Sequence, residues 1–423
     1  MAHAEKRGKY WRVRYKLPTG KYGSASVDDF GNKFTSERLA EQYGQALEAD
    51  ARRGKYLDPR GGRITFGDYS EEWIEAIDVA ETTERTYRSL IASQLVPEWG
   101  AVDLSDITSM GFRAWKKRLS RAHEKNYVDN IVGLFRVMMD DAAVEKIITE
   151  NPVPSGRRMR RGRYVPPPQA GEDTYVYGTP AQILQLASNA RVVRGLVGYV
   201  MVLTIAYTGM RIAEIAGLER KNVWLSDDPY GSYIRVEQQG QWLGGGRGFT
   251  LLPPKYGSYR TIILPPFLAE LLRELLASHT CRWVFPSITG KPLRPDGQFY
   301  DEFWHPVAAG RPAEPRRKGT RGKPGLDPVP GVEEIVPHGP RHGEKVWLDE
   351  DGHPRVAVEA RMGHKLQGSE GTYSHVTKLM EVRIAVSLQA RWERSVGVAQ
   401  TGWENGSPTF LPEAARVALA LAA

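Results

Sequence analysis

The sequence predicts a multidomain chain of mainly α class with small β-sheets, an α+β arrangement, and three observations predict it. Apolar Trp11, Val13 and Tyr15 alternate with basic Arg12, Arg14 and Lys16, a period of two confined to a short opening section. Residues 65–153 carry helical spacing throughout, and a proline- and arginine-rich break separates them from a longer section mixing helical and extended runs. At 423 residues the chain exceeds what one core usually serves.

Composition narrows the function classes. Hydrophobic residues make up 41%, which supports packed cores and excludes general disorder. A formal net charge of +8 suits a polyanionic partner such as nucleic acid. No cationic amphipathic helix or lipidation signal points to a membrane surface, and the longest apolar stretch, 196–206, is only about eleven residues. The polar segment 1–10 is no signal peptide, and the single Cys281 excludes intramolecular disulfides and multi-cysteine zinc sites. The expectation is a soluble, cytoplasmic protein with no membrane partner.

The first section, residues 1–60, reads as a small sheet backed by one helix. The Trp11–Tyr15 run is one strand; 22–27 and 33–34 supply two shorter ones, giving three strands. Thr35 or Ser36 caps a helix that places Leu39, Tyr43 and Leu47 on one face and stops at Gly54. The outward face carries Arg12, Arg14 and Lys16 and could read a DNA groove or simply face solvent.

Residues 65–153 read as four or five short helices, with Trp73, Tyr87, Leu90, Trp99, Trp115, Tyr127, Phe135 and Met138 as core anchors. Lys116, Lys117 and Arg118 form a basic run on one of them. The linker, 154–173, holds Arg157, Arg158, Arg160, Arg161 and Arg163 between prolines, the most concentrated charge in the chain. Such a segment suits crossing phosphates, because each neutralised phosphate releases condensed counterions.

Residues 174–395 hold the candidate chemistry, and 396–423 form a tail ending in an alanine-rich helix. Within them, 308–330 is rich in glycine, proline and basic residues and reads as a flexible surface insertion. At Tyr207-Thr208-Gly209-Met210-Arg211 an apolar helix ends; Gly209 lets the backbone turn, and Arg211 opens a new helix with Ile212, Ile215 and Leu218 inward. An arginine at that place can grip an anion, with Glu214 holding its guanidinium. Residues 249–252 and 260–264 flank a Pro/Gly turn and predict a β-hairpin with Lys255 near its tip. His338 and Arg341 lie three apart, so a helical turn aims them the same way. His364 follows Gly363, and Tyr373 stands nine residues later.

Each of these is weak alone. Together they resemble the tyrosine recombinase, or phage integrase, family. Its first-arginine motif, Thr-Gly-x-Arg-x-x-Glu-x-x-x-Leu, matches Thr208, Gly209, Arg211, Glu214 and Leu218. Its hairpin lysine corresponds to Lys255, followed by Ser258 and Arg260. Its His-x-x-Arg box corresponds to His338 and Arg341, and its Gly-His pair to Gly363 and His364, with Tyr373 the nucleophile. Where relatives carry an acidic residue and leucine inside the box, this chain has Gly339 and Pro340, the latter tolerated only in a first helical turn.

The resemblance implies site-specific recombination: the first module binds arm-type DNA sites, 65–153 is a SAM-like core-binding domain, and 174–395 is catalytic. Arg211 and Arg341 would clamp the scissile phosphate, with His338 and His364 adding hydrogen bonds. Lys255 would protonate the departing 5′ oxygen, and Tyr373 would form a 3′-phosphotyrosine. Arg260, with the basic residues named above, would contact DNA. It further implies no cofactor, metal or ATP, duplex attachment sites as partners, a homotetramer on DNA whose C-terminal helices dock on neighbours, and in some cases a directionality factor and a DNA-bending host protein. The source would be a phage; a chromosomal, plasmid or transposon recombinase, or a DNA-binding regulator without catalysis, are the alternatives.

Overall fold

The computed structural model describes residues 2–17, 20–28, 31–53, 63–154, 176–243, 248–315, 322–364 and 375–402. The chain divides into two compact units, residues 1–168 and 169–423.

In the first unit, strands β1 (His3–Arg7), β2 (Tyr10–Lys16) and β3 (Tyr22–Ala25) form an antiparallel sheet in that order. Val13, Tyr15 and Ala25 turn inward onto helix α1 (Glu37–Arg52), where Phe34 and Ala40 complete a small core. Ser36 is the cap, its hydroxyl accepting from the Leu39 amide at 3.3 Å. Two expectations are corrected. The third strand is β1, paired through Glu5 to Arg12, whereas 33–34 contributes only isolated bridges to Trp11 and Val27. A pentapeptide as polar as His-Ala-Glu-Lys-Arg has no apolar alternation to announce it; pairing along β2 makes it a strand. Leu39 is exposed, because Ala40 and Gly44 form the face that meets the sheet closely.

Helices α2 (Phe66–Ala76), α3 (Glu81–Leu90), α4 (Val96–Trp99), α5 (Ser109–Ala122) and α6 (Lys125–Val144) surround a separate core. Thr65 and Thr108 cap α2 and α5. Phe66, Trp99, Phe112 and Trp115 all pack on Phe135, with ring centroids 5.4–6.0 Å away; such pairs add about 1 kcal/mol each beyond area burial. A π turn, Ile91–Leu95, precedes α4. Pro97 lacks a donor for the ordinary ladder, and the wider turn absorbs the mismatch.

The second unit is built around α7 (Pro180–Thr208), capped by Thr179 with Gln182 in a capping box. Arg194 and Gly195 leave helical geometry, so α7 is two helices joined at a break. The joined length and apolarity would suffice to cross a membrane, but 61% of the apolar window is buried within the protein, where α7 is the central core helix. Helix α8 (Ile212–Ala216) follows. Strands β4 (Val223–Trp224), β5 (Tyr233–Val236) and β8 (Arg260–Ile263) form one antiparallel sheet, while β6 (Gln239–Leu243) and β7 (Gly248–Leu252) form another. The predicted hairpin is thereby corrected: β7 pairs with β6 and β8 with β5. The segment between them crosses from one sheet to the other through a 3₁₀ turn, Lys255–Gly257.

Helix α9 (Pro266–Ser278) covers the core, and α10 (Gly339–Glu350), α11 (Arg355–Met362) and α12 (Lys378–Gly402) complete the unit. The described parts of 308–330 are not structureless. Arg311 exchanges both backbone bonds with Leu326, and Glu314 does so with Lys323. The Asn189 side chain on α7 holds the carbonyls of Val307 and Asp327, each at 2.9 Å, and Val329 is buried. A two-sided arm results, invisible to periodicity because each described side contributes two bridging residues three positions apart among prolines and glycines.

Candidate active site: a buried guanidinium cluster

Four segments from distant parts of the second unit bring charged side chains together. Gly209 ends α7 with φ +57°, and a Cβ there would lie 2.4 Å from a Glu344 carboxylate oxygen, so glycine is required twice over. Arg211 then caps α8. Its amide donates to Glu214 Oε2 at 2.8 Å, and its Nη1 donates to Glu214 Oε1 at 2.9 Å and Ser258 Oγ at 3.1 Å. Nη2 donates to the Gly363 carbonyl at 3.3 Å. Glu214 thus holds Arg211, as the spacing suggested. Burial would raise its carboxyl, but Arg260 and Arg211 outweigh burial and hold it below the ordinary value.

Arg341 enters from the first turn of α10. Pro340 occupies the early position where its missing N–H costs nothing. Gly339 is explained by contact: a Cβ would approach the Val176 carbonyl to 2.6 Å and Ile335 Cγ1 to 2.4 Å. Arg341 is 2% exposed and donates to the carbonyls of Gly209 and Met362 and to His364 Nε2, the last at 2.9 Å. Burial, then Arg211 and Arg260, push its guanidinium down to about 10, so it remains charged at neutral pH.

His364 follows α11, where Gly363 turns left-handed. Its Nδ1 lies 2.7 Å from Glu359 Oε2. His338 stands at the N-terminus of α10 and is exposed. Partial desolvation, then Arg341 and His342 beside it, push its imidazole down to about 4. The rings of His338 and His342 meet edge to face, 4.8 Å between centroids.

Other expected residues stand differently. Lys255 is exposed in its 3₁₀ turn, its ammonium 5.0 Å from the Tyr256 ring centroid. The turn is tied to the cluster three residues on, through Ser258. Tyr373, the linker arginines Arg157, Arg158, Arg160, Arg161 and Arg163, and the end of the tail lie outside the described residues. Arg260, expected at DNA, is turned inward. Its side chain is 6% exposed and donates to both Glu214 oxygens, at 3.0 and 2.8 Å, and to the Arg361 carbonyl at 2.8 Å. Arg12 is corrected in part, since its guanidinium pairs with Glu5 on the unforeseen strand β1 at 2.5 Å. Arg14, Lys16 and Lys117 are exposed, and Lys116 is half-buried.

Sequence reasoning missed Glu344, Glu359 and Arg361. Arg361 is buried and donates to Glu344 Oε1 at 2.7 Å, to the Tyr207 carbonyl at 2.7 Å and to the Ile263 carbonyl at 3.1 Å. It therefore locks α11 to α10, α7 and β8 at once. Burial pushes the Glu344 carboxyl up, against the pull of Arg361 and Arg341. The available signal was a charged residue at positions three after Arg341 and three before His364, on helices otherwise turned inward. Four guanidiniums, Arg211, Arg260, Arg341 and Arg361, face two carboxylates, Glu214 and Glu344, so at least two positive charges stay uncompensated. A site of that kind is preorganised for an anion that gathers charge.

The fold is that of the tyrosine recombinases. The Tn1549 transposon integrase, solved with a circular intermediate DNA, superposes with TM-score 0.56 at 18% identity, covering 78% of this chain and 99% of that one. A lambda integrase tetramer bound to a Holliday junction matches with TM-score 0.51 at 15% identity, covering 88% and 95%. Residues 65–120 match the family described as the phage integrase N-terminal SAM-like domain. The prophage phiRv2 integrase of Mycobacterium tuberculosis is 24% identical over 408 residues, 90% of this chain and 96% of that protein. Over most of its length the chain is similar to a phage-type integrase, and its fold is the tyrosine recombinase fold.

Proposed function

We propose that this chain carries out site-specific DNA recombination, integrating and excising a phage genome by cutting and rejoining strands through Tyr373. One observation carries the reading: Arg211, Arg341 and His364, separated by up to about 150 residues in sequence, converge in one net-positive cluster, the two guanidiniums largely buried and the imidazole exposed at its rim. In this reading the arginines bind the non-bridging oxygens of the scissile phosphate as charge develops on them. A preorganised donor of this kind contributes about 3 kcal/mol. His338, neutral at physiological pH, is free to accept the tyrosine proton. Its basicity rises when the phosphate offsets the charge on Arg341. Tyr373 attacks phosphorus, the 5′ oxygen leaves with a proton from Lys255, and a 3′-phosphotyrosine keeps the energy of the broken bond. A second strand's 5′ hydroxyl reverses the step, so neither ATP nor a metal is needed, and exchange proceeds through a Holliday junction.

The partners in this reading are duplex attachment sites and further copies of the chain, assembling as a tetramer through the C-terminal tail, in the cytoplasm. A directionality factor and a DNA-bending host protein would set the direction. Residues 1–60 would hold distal arm sites and 65–153 the core site.

The test is covalent capture on a nicked suicide duplex carrying the attachment site. Wild type forms a protein–DNA adduct on a denaturing gel, in EDTA as well as without it, and Tyr373→Phe forms none. An adduct persisting in Tyr373→Phe overturns the assignment, and one abolished by EDTA overturns the metal-free step. Deleting residues 1–60 weakens arm-site binding while core-site cleavage continues; equal loss of both would break the modular reading.

A further inference from the structure

A guanidinium only donates hydrogen bonds, so the 2.9 Å contact from Arg341 Nη2 requires His364 Nε2 to accept. The ring therefore carries its proton on Nδ1 and donates it to Glu359 Oε2 at 2.7 Å. In this state His364 has no hydrogen to offer a phosphate oxygen, which is itself only an acceptor. Moving the single proton to Nε2 would set the Nδ1 lone pair against a carboxylate 2.7 Å away. The Lys345 ammonium, 2.6 Å from Glu359 Oε1, keeps that carboxylate ionised. Adding a second proton at Nε2 leaves the Nδ1–H···Glu359 bond intact and requires Arg341 Nη2 to give up its bond to the ring, which an entering phosphate oxygen replaces as acceptor.

We propose that Glu359 is a positioning residue that fixes the His364 ring and holds it as an imidazolium once a phosphate enters the cluster. This rests on the recombinase reading. Free of DNA, His364 faces Arg341, His338 and His342 from α10 and Arg211 from α8, with Glu359 opposing them. Burial and those neighbours keep the ring below its ordinary value despite Glu359. A phosphate beside Arg211 and Arg341 supplies the missing negative charge, and the proton is taken from solvent. Glu359 then faces the imidazolium on one side as the phosphate does on the other. His364 thereby changes from acceptor to donor when its target arrives.

The experiment has two arms. In the first, full-length wild type and Glu359→Gln are labelled with ¹⁵N-histidine, and His364 is titrated with and without inorganic phosphate, its signal assigned with His364→Gln. Phosphate raises the wild-type titration point by about one pH unit or more, a tenfold change in protonation, and raises it much less in Glu359→Gln. In the second arm, single-turnover adduct formation on the nicked duplex is followed from pH 6 to pH 9. In Glu359→Gln the alkaline fall moves about one unit lower, so the rate drops about tenfold at pH 8 and stays within about twofold at pH 6. Equal losses at every pH, or a wild-type His364 that phosphate does not shift, overturn the proposal. Failure of wild type to form any adduct overturns the recombinase reading instead, and the phosphate titration still decides the role of Glu359.

Discussion

Two basic regions among the described residues handle charge in opposite ways. In the second unit Arg211, Arg260, Arg341 and Arg361 are withdrawn from water and each is held by carboxylates or backbone carbonyls. On the N-terminal sheet Arg14 and Lys16 stand exposed, and Arg12, Arg14 and Arg7 all lie within 4 Å of the single Glu5. Buried charges in fixed positions act strongly on one phosphate and lose little to salt. Exposed ones act weakly on any phosphate and are screened within about 8–10 Å. The first arrangement suits a reacting group, the second a backbone grip.

The largest expected break in this comparison comes from the cluster. Arg211→Ala and Arg341→Lys each slow adduct formation by about a hundredfold or more, read as single-turnover rates on the nicked duplex. Arg341→Lys does so despite keeping its charge, because an ammonium cannot reach the Gly209 and Met362 carbonyls and His364 together. A loss under about threefold in either would place the chemistry elsewhere.

Next comes stability. Glu214→Gln leaves Arg211 and Arg260 short of their buried partner and lowers unfolding stability by about 3 kcal/mol, measured by urea denaturation. An unchanged midpoint would show that solvent already reaches the pair.

A smaller effect follows from His338. Its folded pKa, about 4, lies below the ordinary 6.5, so the unfolded chain binds the proton more readily. Stability from this group is complete above pH 6.5 and is lost as pH falls from 6.5 toward 4. The urea midpoint of wild type should decline over that window more than that of His338→Gln; parallel curves would show the ring is not held neutral.

The smallest effect sharpens the other half of the comparison. Arg14→Ala should reduce the slope of log binding constant against log salt by about 1 on arm-site DNA. Arg12→Ala should change it less, because Glu5 already occupies Arg12. The reverse order would mean that DNA displaces Glu5.

What the sequence by itself determined was local. A cap at Thr35 or Ser36, a turn at Gly209, a first-turn place for Pro340 and the Glu214 grip on Arg211 each depend on residues within four positions of one another. The aromatic anchors of the helical bundle were legible for the same reason: helical spacing alone puts them on one face. What only the tertiary structure decided was who pairs with whom across long separations. Strand β7 joins β6 rather than β8, the polar β1 becomes a strand because β2 offers it a ladder, and Arg260 turns inward because Glu214 waits 46 residues away. Glu344, Glu359 and Arg361 read as surface charges in a one-dimensional pattern. They are buried because each finds an opposite charge or a carbonyl from another segment, and burial of a charge is affordable only with such a partner.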